Sequence, residues 1–414
     1  MEKVVVTGLG AITPLGNSVE EFWTGLKAGR NGIAPLTKFD GEAINISVAG
    51  EVKDFQARDL MDRKSAKRMD PFSQYGVAAA LEAMKDSGLD EFDFDADRLG
   101  VIVGSGIGGL QTMQTQIIKM HEKGLDRVEP LFVPKAIGNM VAGNISIATG
   151  AKGPNLTIVT ACASGNNSIG EAFRQIKHGY ADYILAGGAE ASLNEIGMSG
   201  FAALNALSTS TDPDAASLPF DKNRHGFVMG EGAGILILES LTSALERGAH
   251  IYAEIVGYGA TGDSFHMTAP TPDGEGAAKA MQLAMKEAGI EPKDVGYINA
   301  HGTSTPANDS AETSAIKLAF GEENSKSVAV SSTKSMTGHL LGGAGAIEAI
   351  ATVKSLEENI MPPTINTKEL DEKCDLDYIL NEAREQENMY ALNNSLGFGG
   401  HNAVTCFKKW SETE

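Results

Sequence analysis

The stretch VTACASGNNSIGEAF, residues 159–173, places a cysteine between an apolar run and the pattern of an amphipathic helix. The run LTIVTA predicts a β-strand, and Ile169, Phe173 and Ile176 share one face of the predicted helix. We therefore expect Cys162 at a helix N-terminus, where unpaired backbone N–H groups favour a thiolate by about 0.3 to 2 kcal/mol. Small neighbours leave the sulfur open to a substrate, which indicates a nucleophile; the alternative is a small buried apolar residue.

The other two cysteines, Cys374 and Cys406, lie in a polar connection and in a predicted strand. Three cysteines cannot all pair, and their spacing is not that of zinc ligands, so we expect free thiols and no metal site. Nothing around Cys374 or Cys406 would stabilise a thiolate. Cys162 is therefore the candidate nucleophile.

Three histidines follow predicted strands beside glycines and hydroxyl residues: His301 in INAHGTST, His339 in STKSMTGHLL, and His401 in GFGGHN. A cysteine nucleophile needs oxyanion donors and usually a histidine, and strand ends are where α/β active sites assemble. Each of the three could also be a hydrogen-bonded structural histidine. Solvated or structural roles are expected for the histidines in charge-rich contexts, namely His121, His178, His225 and His250.

The segment SLGFGGHN places Phe398 among glycines. A bulky apolar side chain on so permissive a backbone is either a core anchor or a movable gate. The same loop offers backbone N–H groups for an oxyanion hole.

The formal net charge of −20 argues against nucleic-acid or anionic-membrane binding, which requires a basic surface. One local cluster is basic: Arg63, Lys64, Lys67 and Arg68 in DRKSAKRMD, which on a helix would form pairs one turn apart. The cluster is either a solvent-exposed helix face without a partner or a docking site for an acidic macromolecule.

Around these residues, short β-branched runs alternate with helical patterns, which predicts an α/β fold. Two strand–corner–helix units, beginning LTIVTACASG and SVAVSSTKSMTG, suggest a duplicated core, although such units are common to all α/β folds. No apolar run is long enough to span a membrane, and the start MEKVVVTG lacks signal-peptide features. We expect a cytoplasmic enzyme.

The ordered motifs VVVTGLGAITPLGN, VGSGIGG, TACASGNNSIGEAF, PFDKNRHGFVMGEGAG, NAHGTSTPAND, SSTKSMTGHLLGGAGAIEA and NNSLGFGGHNAV identify a resemblance. The chain resembles the β-ketoacyl-acyl carrier protein synthases of the thiolase superfamily, most closely the synthase II enzymes of bacterial fatty acid synthesis. The resemblance covers nearly the whole chain. It implies a thiolase-like duplicated α-β-α-β-α fold, with one half at residues 1–250 and the other at 251–414.

The resemblance also implies roles for individual residues. Cys162, His301 and His339 would form the catalytic triad, with the oxyanion hole at the backbone N–H groups of Cys162 and Phe398. Lys334 would organise the site together with Glu312 and Glu348. Thr303 and Thr305 would bind the phosphopantetheine arm, and the residues expected to contact the acyl substrate are Ile107, Phe201, Phe398 and Gly399.

The implied reaction is a decarboxylative condensation of an acyl and a malonyl group, both delivered by acyl carrier protein, through an acyl-cysteine. It needs no cofactor other than the carrier's phosphopantetheine. Acyl carrier protein is acidic, so the basic cluster and Arg127 would dock it. A homodimer is expected, with the strand near Cys162 paired across a two-fold axis.

Four rival functions remain. A thiolase acting on coenzyme A esters would carry a second catalytic cysteine in its C-terminal half, and GFGGHN has none. A synthase III enzyme would use Cys-His-Asn instead of two histidines. A polyketide ketosynthase shares the active-site chemistry, and a non-catalytic ketosynthase-like subunit would have lost its nucleophile, which Cys162 argues against.

Overall fold

The computed structural model describes residues 1–411, and eleven of their strands form one sheet. The strands are β1 (Val4–Ile12), β2 (Ala34–Pro35), β3 (Val48–Ala49), β4 (Leu99–Gly104), β5 (Asn155–Leu156), β6 (Tyr183–Glu190), β7 (Gly232–Ser240), β8 (Ala253–Gly262), β9 (Val295–Asn299), β10 (Ala329–Ser331), β11 (Ile360–Met361), β12 (Asp377–Tyr378), β13 (Arg384–Glu385), β14 (Tyr390–Gly397) and β15 (His401–Lys409).

Helices alternate with these strands along the chain. They are α1 (Val19–Lys27), α2 (Ala57–Leu60), α3 (Arg63–Ala66), α4 (Pro71–Asp86), α5 (Leu110–Lys123), α6 (Phe132–Ala136), α7 (Met140–Thr149), α8 (Ser164–Lys177), α9 (Glu195–Ala203), α10 (Leu241–Glu246), α11 (Glu275–Ala288), α12 (Pro306–Asn324), α13 (Lys334–Thr337) and α14 (Ala344–Glu358).

The strand order repeats between the two halves of the large sheet. In the first half the order is β5-β4-β6-β7-β1, and in the second it is β10-β9-β14-β15-β8, with β12 added at the outer edge. The sense of pairing repeats as well, because the first two pairs of each half are parallel and the last two are antiparallel. The duplication suggested by the sequence is therefore confirmed.

The two half-sheets enclose a shared helical layer. Helices α8 and α14 contact each other and strands of both halves, while α4 and α7 cover the outer face of the first half and α11 covers that of the second. One large apolar cluster contains side chains from α8, α14 and both half-sheets. The result is the expected five-layer arrangement, with the half-sheets joined where Val4–Val6 pair with 253–255.

Two local predictions are wrong. The run 156–162 forms a strand only at Asn155–Leu156, because β5 is the last strand of the sheet and has no neighbour on its outer side. Leu156 and Val159 are 48% and 62% exposed. The basic segment is helical only at Arg63–Ala66, so its charges do not stack along a continuous helix.

No helix among residues 1–411 combines the length and apolar character needed to cross a bilayer.

Candidate active site

Cys162 lies in a sharp turn at the start of α8. A 3-10 turn at Ala161–Ala163 precedes the helix, and Ala161 has a backbone φ of +50°. A left-handed conformation costs a non-glycine residue about 1 kcal/mol or more, so neighbouring contacts must hold it. Ser164 supplies two of them: its Oγ accepts the Thr160 N–H at 2.9 Å and donates to the Ala161 carbonyl at 2.7 Å.

The turn presents Cys162 to a cavity of about 330 Å³. His301, His339 and Phe398 line the same cavity, so the structure brings together the four residues that the sequence placed at separate strand ends. Cys162 is 8% exposed, whereas Cys374 and Cys406 are fully buried in another apolar cluster and do not line the cavity. No second cysteine therefore takes the position that a thiolase would require.

The two histidines are held through their backbones. The N–H groups of His301 and Gly302 donate to the two carboxylate oxygens of Glu312, each at 2.8 Å. The His339 N–H donates to the Val228 carbonyl at 2.7 Å, and its own carbonyl accepts the Gly230 N–H at 2.9 Å. These bonds leave both imidazoles free for a substrate.

Both imidazoles are neutral near pH 7. Burial lowers the pKa of His301 and of His339 well below the ordinary value, and the nearby positive charge of Lys334 lowers both further. Within residues 1–411, Nδ1 of each ring is buried and has no hydrogen-bond partner. A neutral imidazole offers one donor and one acceptor, so the pair can give hydrogen bonds and can also take a proton.

The prediction of a partly ionised Cys162 thiolate is wrong. Burial raises the pKa of the thiol to about 12, although the charge of Lys334 and the backbone N–H of Phe398 act in the opposite direction. Desolvation disfavours the charged form by more than the helix terminus and its neighbours favour it. The resting nucleophile is a thiol, and its proton must leave as the substrate is attacked.

Two backbone N–H groups approach the sulfur. Those of Phe398 and of Cys162 itself both act on the thiol, which is the arrangement expected of an oxyanion hole. The close approach depends on Gly397, because a Cβ there would lie 2.8 Å from the Thr160 carbonyl oxygen and 3.2 Å from the Cys162 nitrogen. A side chain at position 397 would therefore push the end of β14 away from the nucleophile turn.

Lys334 lies behind the histidines. Its side chain is 1% exposed and forms an ion pair with Glu348, which is equally buried. Burial raises the pKa of Glu348 to about 7, against the effect of Lys334. The ammonium group also acts on Glu312, His301, His339 and Cys162, so it is the cation common to the whole site.

The outer part of the cavity is lined by hydroxyl and aromatic side chains. Thr303 and Thr305 hydrogen-bond to each other, with 2.9 Å between their Oγ1 atoms. Phe201 contacts Phe398, with ring centroids 6.1 Å apart, and Phe227 packs edge-on against the His339 ring at 5.2 Å. These walls combine an apolar surface with a few polar groups, as ligand sites commonly do.

Two predicted substrate contacts lie outside the cavity lining. Ile107 is 36% exposed, and its N–H donates to Glu190 at 3.2 Å. Gly399 is exposed, and its N–H donates to the Met267 carbonyl at 2.7 Å. Their contacts with a substrate stay predictions.

The predicted docking residues are all on the surface. Arg63, Lys64, Lys67 and Arg68 are exposed, and among residues 1–411 none of them forms an ion pair. The Arg127 side chain is 63% exposed and pairs with Asp126 at 3.6 Å. All five cations are available to a partner.

Several residues of the cavity were not predicted from the sequence. His225 lines it, held by Ser208 Oγ at 3.0 Å from Nε2 and by the Asn223 carbonyl at 3.1 Å from Nδ1. The loop at 268–270 and Asn308 also reach the lining, whereas His401 does not. Nothing in the local sequence around residues 268–270 marks them, because they reach the site only through long-range packing.

Among residues 1–411, no group of three or more His, Cys, Asp or Glu side chains is arranged to hold a metal ion.

Comparison with protein families gives two matches. Residues 1–244 match the N-terminal domain of β-ketoacyl synthases, and residues 252–368 match their C-terminal domain. Together the two matches cover most of the chain.

Curated relatives match over the full length. A 3-oxoacyl-[acyl-carrier-protein] synthase 2 from Staphylococcus aureus (strain N315) is 54% identical over 409 residues, which cover 99% of both chains. An enzyme of the same name from Synechocystis sp. is 53% identical over 410 residues, covering 99% of this chain and 98% of the relative.

Solved structures share the fold. A β-ketoacyl synthase from Burkholderia phymatum superposes with a TM-score of 0.92 at 36% identity, covering 99% of this chain and 100% of the other. A ketosynthase solved in complex with its type II polyketide acyl-carrier protein, bound to the hexaketide, matches with the same TM-score, identity and coverage.

Proposed function

The chain belongs to the β-ketoacyl synthase family, and we propose from this premise that it condenses acyl-acyl carrier protein with malonyl-acyl carrier protein in fatty acid elongation. It is a condensing enzyme of the acyltransferase type. One observation supports the catalytic roles assigned below: Cys162, His301 and His339 line one cavity, and the Phe398 N–H lies beside the Cys162 sulfur.

The first step transfers the acyl group to the enzyme. The Cys162 sulfur attacks the thioester carbonyl, and the N–H groups of Cys162 and Phe398 stabilise the charge that develops on oxygen. A neutral imidazole of the His301–His339 pair accepts the thiol proton. As the old C–S bond breaks, the proton passes to the departing pantetheine sulfur and leaves an acyl-Cys162.

The second step removes carbon dioxide from the malonyl group. Cleavage of the carboxyl C–C bond leaves its electron pair on the thioester as an enolate, and N–H donors of His301 and His339 stabilise the enolate oxygen. Each donor of this kind contributes about 2.7 to 4 kcal/mol. Neutral imidazoles suit the step, because each keeps one N–H group.

The third step forms the new bond. The enolate carbon attacks the acyl carbonyl, the C–S bond to Cys162 breaks, and the sulfur takes up a proton, which restores the thiol. Over the cycle one proton is consumed and one carbon dioxide is released. Because burial raises the pKa of the Cys162 thiol to about 12, the released sulfur is protonated at neutral pH.

Thr303 and Thr305 line the outer cavity and are proposed to bind the pantetheine arm, while Phe201 and Phe398 contact the acyl chain. The acidic carrier docks on a set of exposed cations, although the chain as a whole repels its charge. These cations are Arg63, Lys64, Lys67, Arg68 and Arg127.

A homodimer is also proposed. The outer edge of β5 is exposed, and Leu156 and Val159 offer apolar surface there for a second copy of the chain.

The division at residue 250 is also a proposal. The first five-strand repeat ends at β7, and the second begins at β8, with α10 between them. Residues 412–414 of the second half lie outside the described residues. The cytoplasmic location stays a prediction from the sequence.

Sequence identity to the relatives favours fatty acid elongation over polyketide synthesis. The curated synthase 2 relatives are 53–54% identical, whereas the ketosynthase solved with its polyketide carrier is 36% identical. The test is a reconstitution with the purified chain, acyl-acyl carrier protein and malonyl-acyl carrier protein. A β-ketoacyl product two carbons longer, with one carbon dioxide per product, is expected; no product would overturn the proposal.

A further inference from the structure

Residues 227–231, called here the bridging segment, lie directly before β7 and form the middle one of three aligned stretches of chain. The segment pairs in the parallel sense with Gly50 on one side and with His339 on the other. The Met229 carbonyl accepts the Gly50 N–H at 2.9 Å, and the Glu231 N–H donates to the Gly50 carbonyl at 3.1 Å. The alternate groups of the segment, the carbonyl of 228 and the N–H of 230, bind the His339 backbone.

The bridging segment is packed closely around His339. A Cβ on Gly230 would lie 2.8 Å from the Thr337 carbonyl oxygen, and a Cβ on Gly50 would lie 2.3 Å from the same atom. At the start of the segment, the Phe227 ring packs edge-on against the His339 imidazole, with 5.2 Å between ring centroids. The segment thus contacts both the backbone and the ring of His339, and close packing transmits its position to both.

Glycines with positive φ bound the bridging segment. Gly226 has a φ of +156° and Gly232 a φ of +143°, and a Cβ on Gly232 would lie 2.1 Å from the Ile12 carbonyl oxygen. Glycine backbones have more conformational freedom than those of other residues, so they do not by themselves fix the segment between them. Side-chain contacts must do so.

The Glu231 side chain provides such contacts at the C-terminal end of the segment. It is 1% exposed and lies outside the cavity lining. Oε2 accepts Lys38 Nζ at 2.5 Å, Oε1 accepts the Val52 N–H at 3.0 Å, and the Tyr75 hydroxyl is a third hydrogen-bond partner. A buried carboxylate is costly unless its partners satisfy it, so these groups define one position for it.

We propose that Glu231 is a positioning residue for decarboxylation: it anchors the bridging segment and thereby holds His339 where its N–H group can reach the malonyl thioester oxygen. The proposal rests on the proposed function, since it assigns a role in malonyl decarboxylation. Glu231 touches neither the substrate nor the reacting atoms. Acyl loading should depend on it less, because the N–H groups of Cys162 and Phe398 stabilise the charge in that step.

Glu231→Met is the discriminating variant. Methionine keeps a side chain of similar length and bulk, but its thioether is only a weak hydrogen-bond acceptor. The Lys38 ammonium group can turn to solvent, because its side chain is 33% exposed. The Val52 N–H loses its acceptor, and the end of the bridging segment loses its anchor.

Glu82→Met is the matched control. Glu82, on α4, also ties two stretches of chain together, because its carboxylate accepts the N–H groups of Ala11 and Val19, each at 2.8 Å. The same substitution therefore removes a similar pair of hydrogen bonds away from the bridging segment. A general loss of stability would affect the variant and the control alike.

The experiment measures two rates in the full-length chain: carbon dioxide release from malonyl carrier protein, and transfer of an octanoyl group from carrier protein to Cys162. Glu231→Met is expected to lower carbon dioxide release about tenfold and acyl transfer less than about twofold, because a misplacement on the order of 1 Å can cost about 100-fold. Glu82→Met should keep the wild-type ratio of the two rates.

Imidazole NMR signals of the enzyme without substrate report the position of the ring directly. The signals are assigned from their loss in His301→Ala and His339→Ala. In Glu231→Met the His339 signal should shift, and it should shift more than that of His301. Glu82→Met should leave both signals in place.

Equal losses in both rates would overturn the proposal by showing only a structural role, as would unchanged carbon dioxide release or an unshifted His339 signal. If Glu231→Met does not fold, Glu231→Gln replaces it. One amide oxygen cannot accept from both Lys38 and Val52, so a selective loss of about threefold is expected, and an unchanged ratio of rates would overturn the proposal. Failure of the wild-type chain to release carbon dioxide would instead overturn the proposed function, and the NMR comparison would still test the anchoring of His339.

Discussion

The imidazole rings of His301 and His339 lie 5.2 Å apart between centroids, with their planes at 86°. One ring follows β9 and the other follows α13, so the pair depends on two segments of the second half that meet only in the folded chain. Both rings line the cavity that Cys162 faces. The proposed mechanism uses one N–H donor from each ring at a single enolate oxygen.

Replacing His339 with alanine should impair malonyl decarboxylation more than acyl loading. Loss of one donor to a developing oxyanion reduces the rate by about 100- to 1,000-fold. Carbon dioxide release from malonyl carrier protein and acylation of Cys162 are measured separately, with the exposed His250→Ala as control. Equal damage to both steps would contradict the division of roles.

The reactivity of Cys162 should rise steadily with pH. Because burial raises the thiol pKa to about 12, the thiolate fraction increases about tenfold per pH unit throughout the range from 7 to 10. Iodoacetamide alkylation, followed by peptide mass mapping, is expected to show this slope without a plateau. A plateau below pH 8 would show a thiolate already formed at rest.

Reversing the charges of Lys64 and Lys67 to glutamate should raise KM for carrier-protein substrates by about tenfold or more, because a rim charge contributes mainly to encounter and orientation. Small thioester substrates should keep their KM. Lys279→Glu with Lys286→Glu makes the same charge change on exposed positions of α11 and serves as the control. Equal KM values for both double variants would remove the docking proposal.

Lys334→Ala should destabilise the fold by about 3 to 5 kcal/mol, since it leaves Glu348 buried without its cation. Burial raises the folded-state pKa of Glu348 to about 7, above its unfolded value, so protonation of this carboxyl stabilises the fold as the pH falls. The stability lost in Lys334→Ala should therefore be larger at pH 8, where Glu348 carries an unpaired charge, than at pH 5.5. Denaturant unfolding at both pH values measures it. Lys317→Ala, which breaks a partly exposed pair with Asp375, should cost less than about 1 kcal/mol; comparable losses would contradict the account.

Much of the fold could be predicted from the sequence, because the signals are local. Buried strands such as Val4–Ile12 and amphipathic helices such as Ser164–Lys177 follow from hydrophobic pattern alone. The prediction of a strand over residues 156–162 failed, because the same apolar pattern fits a buried strand and the edge of a sheet. Only the number of neighbouring strands distinguishes the two.

The electrostatics of the site could not be predicted in the same way. The helix N-terminus beside Cys162 is visible in the sequence. The desolvation that outweighs it comes from packing by distant segments, including Leu193, Met198 and Phe201, which belong to the same apolar cluster as Cys162. Glu231 was not predicted for the same reason, since the groups that its carboxylate binds, at 38, 52 and 75, converge only in the folded chain.

The most direct test of the account is the site of acylation. The chain is incubated with acyl-acyl carrier protein alone, digested and mapped by mass spectrometry, with Cys162→Ala in parallel. The account predicts one acyl group on Cys162, none on Cys374 or Cys406, and neither acylation nor condensation in the variant. Acylation at another residue, or near-normal condensation by Cys162→Ala, would contradict it.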